Sequence, residues 1–257
     1  VLFGKILWGG LGRNIFNPAL VGREFMTIFF PTVMTSSAIW YNKEYVNLKK
    51  IAVFGESGSS ALVDYLNTLF FKASGAIGEY SAIFLILGGV YLLLRRRISW
   101  HIPLGLFVAF ALVLQGYNLL FDSELKFSIG GVLLGAVFMA TDMPSSPISK
   151  TGKFYYGAMI GLSAALMIIM GIRNEYMSYS ILLLNGFALL INKPFAPRVW
   201  GTKTNVLKKA LQISVLTLGI IASSIAVVYL HEFDFIQYLV YGFIVFICIR
   251  FFYLKKR

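Results

Sequence analysis

Charge is scarce in this chain. Of 257 residues, 13% are Asp, Glu, Lys or Arg, about half of the roughly 25% typical of a soluble domain. A soluble enzyme with a large core is thereby excluded. Cysteine is reduced to Cys248, which rules out an intrachain disulfide and a cysteine cluster built by this chain alone. Cys248 lies in an apolar run and reads as a small packing residue. The two histidines, His101 and His231, are expected at opposite faces of the apolar layer, so no metal site is expected from them. No P-loop, dinucleotide-binding glycine fingerprint or Ser-His-Asp set occurs. No soluble domain, linker or low-complexity tract is found, so any chemistry belongs inside a membrane or at its surfaces. No cleavable signal peptide is visible. The chain opens on Val1 without a methionine, and a preceding segment is expected.

Acidic residues are few: 11 against 23 Lys and Arg, a net charge of +12. A nucleic-acid partner is nonetheless excluded, because the basic residues sit in short loops rather than on one face. What is abundant is apolar sequence, 58% of the chain, in blocks long enough to span hydrocarbon. Spans are expected at about 15–34, 80–94, 102–121, 127–141, 154–172, 177–192, 207–230 and 235–253. Residues 57–73 are too short and polar to cross, and read as an interfacial or re-entrant helix. The connecting loops alternate in sign. Arg95-Arg96-Arg97, Lys150 with Lys153, and the Lys193–Lys209 group alternate with Asp122 and Glu124, Glu175, and the His231–Asp234 group. With the arginine loop in the cytoplasm, positive loops fall inside and acids outside. The exceptions among the acids are Glu24 and Asp142. Eight crossings follow, with both ends of this chain cytoplasmic and the 35–79 region on the outer face.

The stretch that organises the chain runs from Gly130 to Gly161, GGVLLGAVFMATDMPSSPISKTGKFYYGAMIG. It reads as two membrane helices joined by a short, structured, positively charged loop. Pro144 and Pro147 lack N–H donors and cannot continue a helix interior. Asp142 falls where the first helix leaves the apolar layer, and its carboxylate needs a donor or water there. Earlier in the chain, Asn17-Pro18 fits a helix start, with Asn as cap and Pro at the first position. Arg23 and Glu24 follow inside the first span, placed to pair or to reach an interface. Ser57-Gly58-Ser59-Ser60 reads as an N-cap, or as a small-residue turn that lets a phosphate approach a helix N-terminus. Glu79 opens a helix, where its charge meets the dipole favourably; it is either a cap or part of an ion path.

Taken in order, several segments resemble one family: the D-type subunit of the Rnf electron-transport complex (RnfD) and its homologue, the B-type subunit of the sodium-translocating NADH:quinone reductase (NqrB). They are Asn14-Ile15-Phe16-Asn17-Pro18-Ala19-Leu20-Val21, Gly75-Ala76-Ile77-Gly78-Glu79-Tyr80-Ser81, Ile98–Pro103, Ala140-Thr141-Asp142 with its Ser/Pro turn, Gly157–Leu162, and Pro197–Gly201. The resemblance covers about residues 10–201. It implies an all-α, polytopic membrane bundle of two inverted, urea-transporter-like repeats, the first incomplete here. It divides the chain into a membrane domain, 1–205, and an additional two-helix segment, 206–257. It also implies FMN attached by a phosphoester at Ser60, with Ser57, Gly58, Ser59 and Arg23 around it, and a second, non-covalent flavin such as riboflavin. Two departures stand out: Ser60 replaces the family's Thr, and Phe54 stands where the motif has Asp. Covalent flavin, non-covalent flavin and no flavin therefore stay open. Asn17, Glu79 and Asp142 are the ion-path candidates. The function implied is a subunit of a redox-driven ion translocase, passing electrons through FMN between ferredoxin and NAD+ and coupled to Na+ or H+ transport. It is incomplete alone, with iron–sulfur and flavin subunits as partners and membrane lipid around it. Its place is a bacterial or archaeal cell membrane, with Ser60 on the outer face. The alternatives are a flavin-free transporter or channel-like protein of the same fold, and a purely structural assembly subunit.

Overall fold

The computed structural model describes residues 1–10, 12–34, 40–41, 46–47, 75–76, 81–121, 125–196 and 205–255. Nine helices cover most of them. They are α1 (Pro18–Phe29), α2 (Pro31–Met34), α3 (Ala82–Leu94), α4 (His101–Phe121), α5 (Ile129–Met139), α6 (Lys150–Ile169), α7 (Tyr176–Phe195), α8 (Val206–Glu232) and α9 (Ile236–Lys255). Among the described residues, extended structure is confined to two-residue antiparallel ladders. Trp40–Tyr41 pairs with Gly75–Ala76, and Val46–Asn47 pairs with Lys126–Phe127. The chain is an all-helical, multi-pass membrane protein. The Ser57–Ser60 turn, Glu79 and the 57–73 helix lie outside the described residues.

Among the described residues, four helices are long and apolar enough to cross a bilayer: α4, α6, α8 and α9. The other expected spans depart from the eightfold reading for physical reasons. The first, 15–34, is broken: Phe30 leaves helical geometry ahead of Pro31, whose ring cannot follow a helical residue without a clash. α3 has 13 residues and rises only ~20 Å. In α5, six residues of α-helix run into a π-helical turn, Gly135–Met139. α7 is long enough, but Ser178, Ser180, Asn185 and Asn192 punctuate it. The loop expected to carry Lys150 and Lys153 ends sooner, because Ser149 caps Gly152 N–H at 3.1 Å and both lysines enter the first turn of α6.

α6 is the hub. Protein covers 61% of its apolar stretch, against 22%, 17% and 11% for α4, α8 and α9. Its position follows from small residues. Gly157 and Gly161 stand four apart, and a Cβ on either would fall on the carbonyl oxygen of Ile102 or Leu106. Gly105 meets Phe154 O in the same way from the α4 side. The two backbones therefore touch, which is the small-residue packing that membrane helices use in place of a hydrophobic driving force. α6 ends at Gly171, whose φ of 100° takes the left-handed turn that a side chain would resist. α8 is bound to the bundle through polar pairs: Ser224 Oγ donates to Ser163 Oγ at 2.9 Å, and Tyr155 OH lies 2.8 Å from Thr217 Oγ1. α9 docks on the N-terminal turn, with the Arg250 guanidinium 4.2 Å over the Trp8 ring and Phe243 edge-on to Phe16.

A test follows from the crossing. Gly157→Val should destabilise the purified chain by about 1–3 kcal/mol through overpacking. Gly116→Ala, on the same α4 but with nothing within 4 Å, should be neutral or slightly stabilising in the same thermal unfolding measurement in detergent.

Candidate functional site

Polar side chains gather at two places along α1 and α7. The first is a junction of helix ends. The Asn17 side chain caps α1, its Oδ1 accepting from Ala19 N at 2.9 Å. Its Nδ2 donates to Met139 O at 2.8 Å, at the end of the π-helical turn of α5. One amide thus satisfies an orphan donor of one helix and a carbonyl released by another. Asn185, in the middle of α7, completes the joint. Its neighbours fix its amide orientation: Oδ1 accepts from Asn17 N at 3.0 Å, and Nδ2 donates to Ser145 O at 3.3 Å and Ile181 O at 3.2 Å. The hydroxyl of fully buried Tyr156 lies against the same amide.

Asp142 borders this junction. Its Oδ2 accepts from Ser145 Oγ at 2.8 Å and from Asn14 Nδ2 at 3.2 Å. Asn14, Asn17 and Ser145 are each at most 5% exposed, whereas Asp142 is half-buried. The donors expected of a carboxylate at the edge of the apolar layer are therefore present. Thr141 turns inward instead, donating to Val137 O at 2.6 Å. The structure brings the sequence candidates Asn17 and Asp142 into one connected region, linked through Asn14, Ser145 and Asn185.

The second cluster surrounds Arg23. Its Nη2 lies 3.2 Å from Glu175 Oε2 and donates to Glu175 Oε1 at 3.3 Å, and its Nη1 donates to Ser178 Oγ. The guanidinium expected near a flavin is thus engaged by α7. Glu24, the next residue, is 5% exposed, faces Ser178 and Glu175, and leaves Oε1 without a hydrogen-bond partner. Tyr179 continues the cluster toward α8, its hydroxyl 3.3 Å from His231 Nδ1. Sequence reading picked out Arg23 but missed Glu175, because the partners lie 152 positions apart and no spacing pattern joins them. Glu175 and Asn185 are ten positions apart on one helix, so the two clusters are separated by roughly 15 Å along α7. Among the described residues, no group of three or more His, Cys, Asp or Glu is placed to hold a metal ion. His101 is occupied locally, 3.0 Å from Ser99 Oγ and stacked on Trp100.

An all-helical membrane body with an amide-lined junction of broken helices is thus defined. Residues 1–201 match the model of the NQR2, RnfD, RnfE family, and the chain belongs to that family. It is 37% identical over 211 residues to the D-type subunit of the Na(+)-translocating ferredoxin:NAD(+) oxidoreductase complex of Acetobacterium woodii, covering 80% of this chain and 65% of that protein. It is 32% identical over 223 residues to the D-type subunit of the proton-translocating ferredoxin:NAD(+) oxidoreductase complex of Clostridium ljungdahlii, covering 79% and 66%. To the B-type subunit of the Na(+)-translocating NADH-quinone reductase of Neisseria meningitidis it is 30% identical over 207 residues, covering 73% and 50%. The chain therefore spans between half and two thirds of the length of these relatives. The family match ends before α8.

The junction makes its own prediction. Asn185→Leu strands the Tyr156 hydroxyl and the Asn17 N–H in an apolar interior, each worth about 1–3 kcal/mol. The variant should melt well below the parent. Asp142→Asn keeps an acceptor for Ser145 and Asn14, and should melt within a few degrees of it.

Proposed function

We propose that this chain is a membrane-embedded subunit of an ion-translocating oxidoreductase complex, of the type for which its relatives are named. The observation that carries the reading is the family match over residues 1–201, which takes in both polar clusters except His231. Electrons pass between ferredoxin and NAD+ through iron–sulfur and flavin subunits that partner this one. The chain has no nucleotide-binding fingerprint of its own, so it acts within the complex. Its contribution is the route of the ion. The junction of Asn17, Asp142 and Asn185 offers amide and carboxylate oxygens where helices end, the arrangement by which transporters hold ions inside a bilayer. Na+ and H+ each have a precedent in the names of the relatives. Residues 206–257 form a two-helix addition to the membrane domain. The arginine loop faces the cytoplasm and the Ser60 region faces outward.

The flavin belongs to the same proposal. Ser60 would hold FMN through a phosphoester, with Ser57, Gly58 and Ser59 allowing close approach to the phosphate. Bound there, the flavin supplies a carrier able to accept and release electrons. Within this chain the Arg23 guanidinium pairs with Glu175.

Flavin fluorescence of the denatured, gel-separated chain tests the attachment. A fluorescent band is expected from the parent and none from Ser60→Ala. A dark parent band removes covalent flavin and leaves open the transporter reading, which the Ser60 and Phe54 departures already motivate. For the ion route, Asp142→Asn should keep the assembled complex and its ferredoxin oxidation in detergent. Ion uptake into vesicles should fall at least tenfold; unchanged uptake would take Asp142 out of the route.

A further inference from the structure

The Arg23 cluster does not balance electrically. Two carboxylates, Glu24 and Glu175, face one guanidinium inside the helical body. Arg23 makes two contacts with Glu175 and a third with Ser178, so its charge is committed to α7. Glu24 is 5% exposed, its charged neighbours are Glu175 and Arg23, and its Oε1 has no partner. An isolated ionised carboxylate at such a place costs many kcal/mol, and proteins relieve that cost by taking up a counter-charge. One positive charge is missing.

We propose that Glu24 and Glu175 form a one-proton site inside the helical body, clamped by Arg23, in which Glu24 carries an exchangeable proton. Loading adds H+ to the Glu24 carboxylate and forms one O–H bond; unloading breaks it, and no electrons move. A metal cation is disfavoured by the surroundings. The oxygens at hand are two carboxyls and one serine hydroxyl already held by Arg23, with the guanidinium itself among them. Every titratable group facing Glu24 belongs to the same set: Arg23 on α1, Glu175 and Tyr179 on α7, and, beyond Tyr179, His231 on α8. Half-exposed His231, in the last turn of α8, lies 3.3 Å from the Tyr179 hydroxyl. That the proton is one the complex moves rests on the function proposed above; that the pair holds a proton does not.

Infrared spectroscopy of the full chain in lipid nanodiscs at neutral pH reads the proton directly, through the carbonyl stretch of a protonated carboxylic acid and its shift in D2O. The parent should show this band. Glu24→Gln should abolish it, and Glu232→Gln, at an exposed position, should not. Glu175→Gln should abolish it too, because Arg23 is then free to hold Glu24 ionised. Arg23→Gln should roughly double it, because both carboxyls then need protons. These opposite responses survive the loss of any one variant to misfolding, and a merely structural cluster would not produce them. A parent without the band, a band that Glu175→Gln leaves unchanged, or one that sodium chloride removes at fixed pH overturns the proposal, the last by making sodium the occupant. The readout needs no flavin and no electron transfer. A dark flavin gel with the band present would count against covalent flavin alone.

Discussion

One side chain, Asn17, holds two helix ends together. Helices end with free N–H and C=O groups, and within an apolar layer no water is at hand to satisfy them. A chain that ends helices inside a membrane must therefore supply the missing partners itself. Asn17 does so in both directions, accepting from the first turn of α1 and donating to the carbonyl that α5 leaves open at Met139. Asn185 extends the arrangement to α7 by accepting from the Asn17 backbone. Without these amides, α1 would have to start in water, and neither the Asp142 region nor the Arg23 cluster would lie against α7.

The amides require that the surrounding helices come close, and glycine makes that possible. At Gly105, Gly157 and Gly161 the α4 and α6 backbones touch. This fixes α6 along its length and with it Tyr156, which reaches Asn185. Dispersion between closely packed backbones takes the role that hydrophobic burial has in water, since lipid is as apolar as the protein interior. The two devices are therefore complementary: glycine sets the distances, and the amides use them.

Much of this was legible in the sequence, for identifiable reasons. Apolar block length is a direct consequence of bilayer thickness, so α4, α6, α8 and α9 were readable to within a few residues. Asn17-Pro18 was readable as a cap because the first turn of a helix tolerates Pro and rewards Asn. The need of Asp142 for donors was readable because a carboxylate at that depth must have them. What was not legible depends on distant partners. The π-helical turn at Gly135–Met139 arises where α5 packs on α7, with Met177 close to Gly135; no local propensity distinguishes it. Lys150 and Lys153 looked like loop residues because they are charged, yet the Ser149 cap draws them into α6. Glu175 looked like an outer-loop acid. Its role emerged only when α1, 152 residues upstream, was seen to lay Arg23 beside it.

That last pairing bears on why ionisable groups stand inside this protein at all. Removing two charges from water costs several kcal/mol per ion, and an apolar pair of similar volume packs as well or better. The Arg23–Glu175 contact is thus poorly explained as a source of stability, and the second acid beside it, Glu24, makes the arrangement worse on that count. A lone ion pair would be neutral and complete; three groups with two acids cannot be. The same logic separates the two clusters. At the helix-end junction the hydrogen bonds of Asn14, Asn17, Asn185 and Ser145 close on one another and on half-buried Asp142. At Arg23 they do not close: Glu24, 5% exposed, leaves Oε1 without a hydrogen-bond partner. An interior that closes the amide hydrogen bonds at that junction, yet leaves the Glu24 carboxyl oxygen open beside Glu175, has kept that oxygen for something that arrives and leaves.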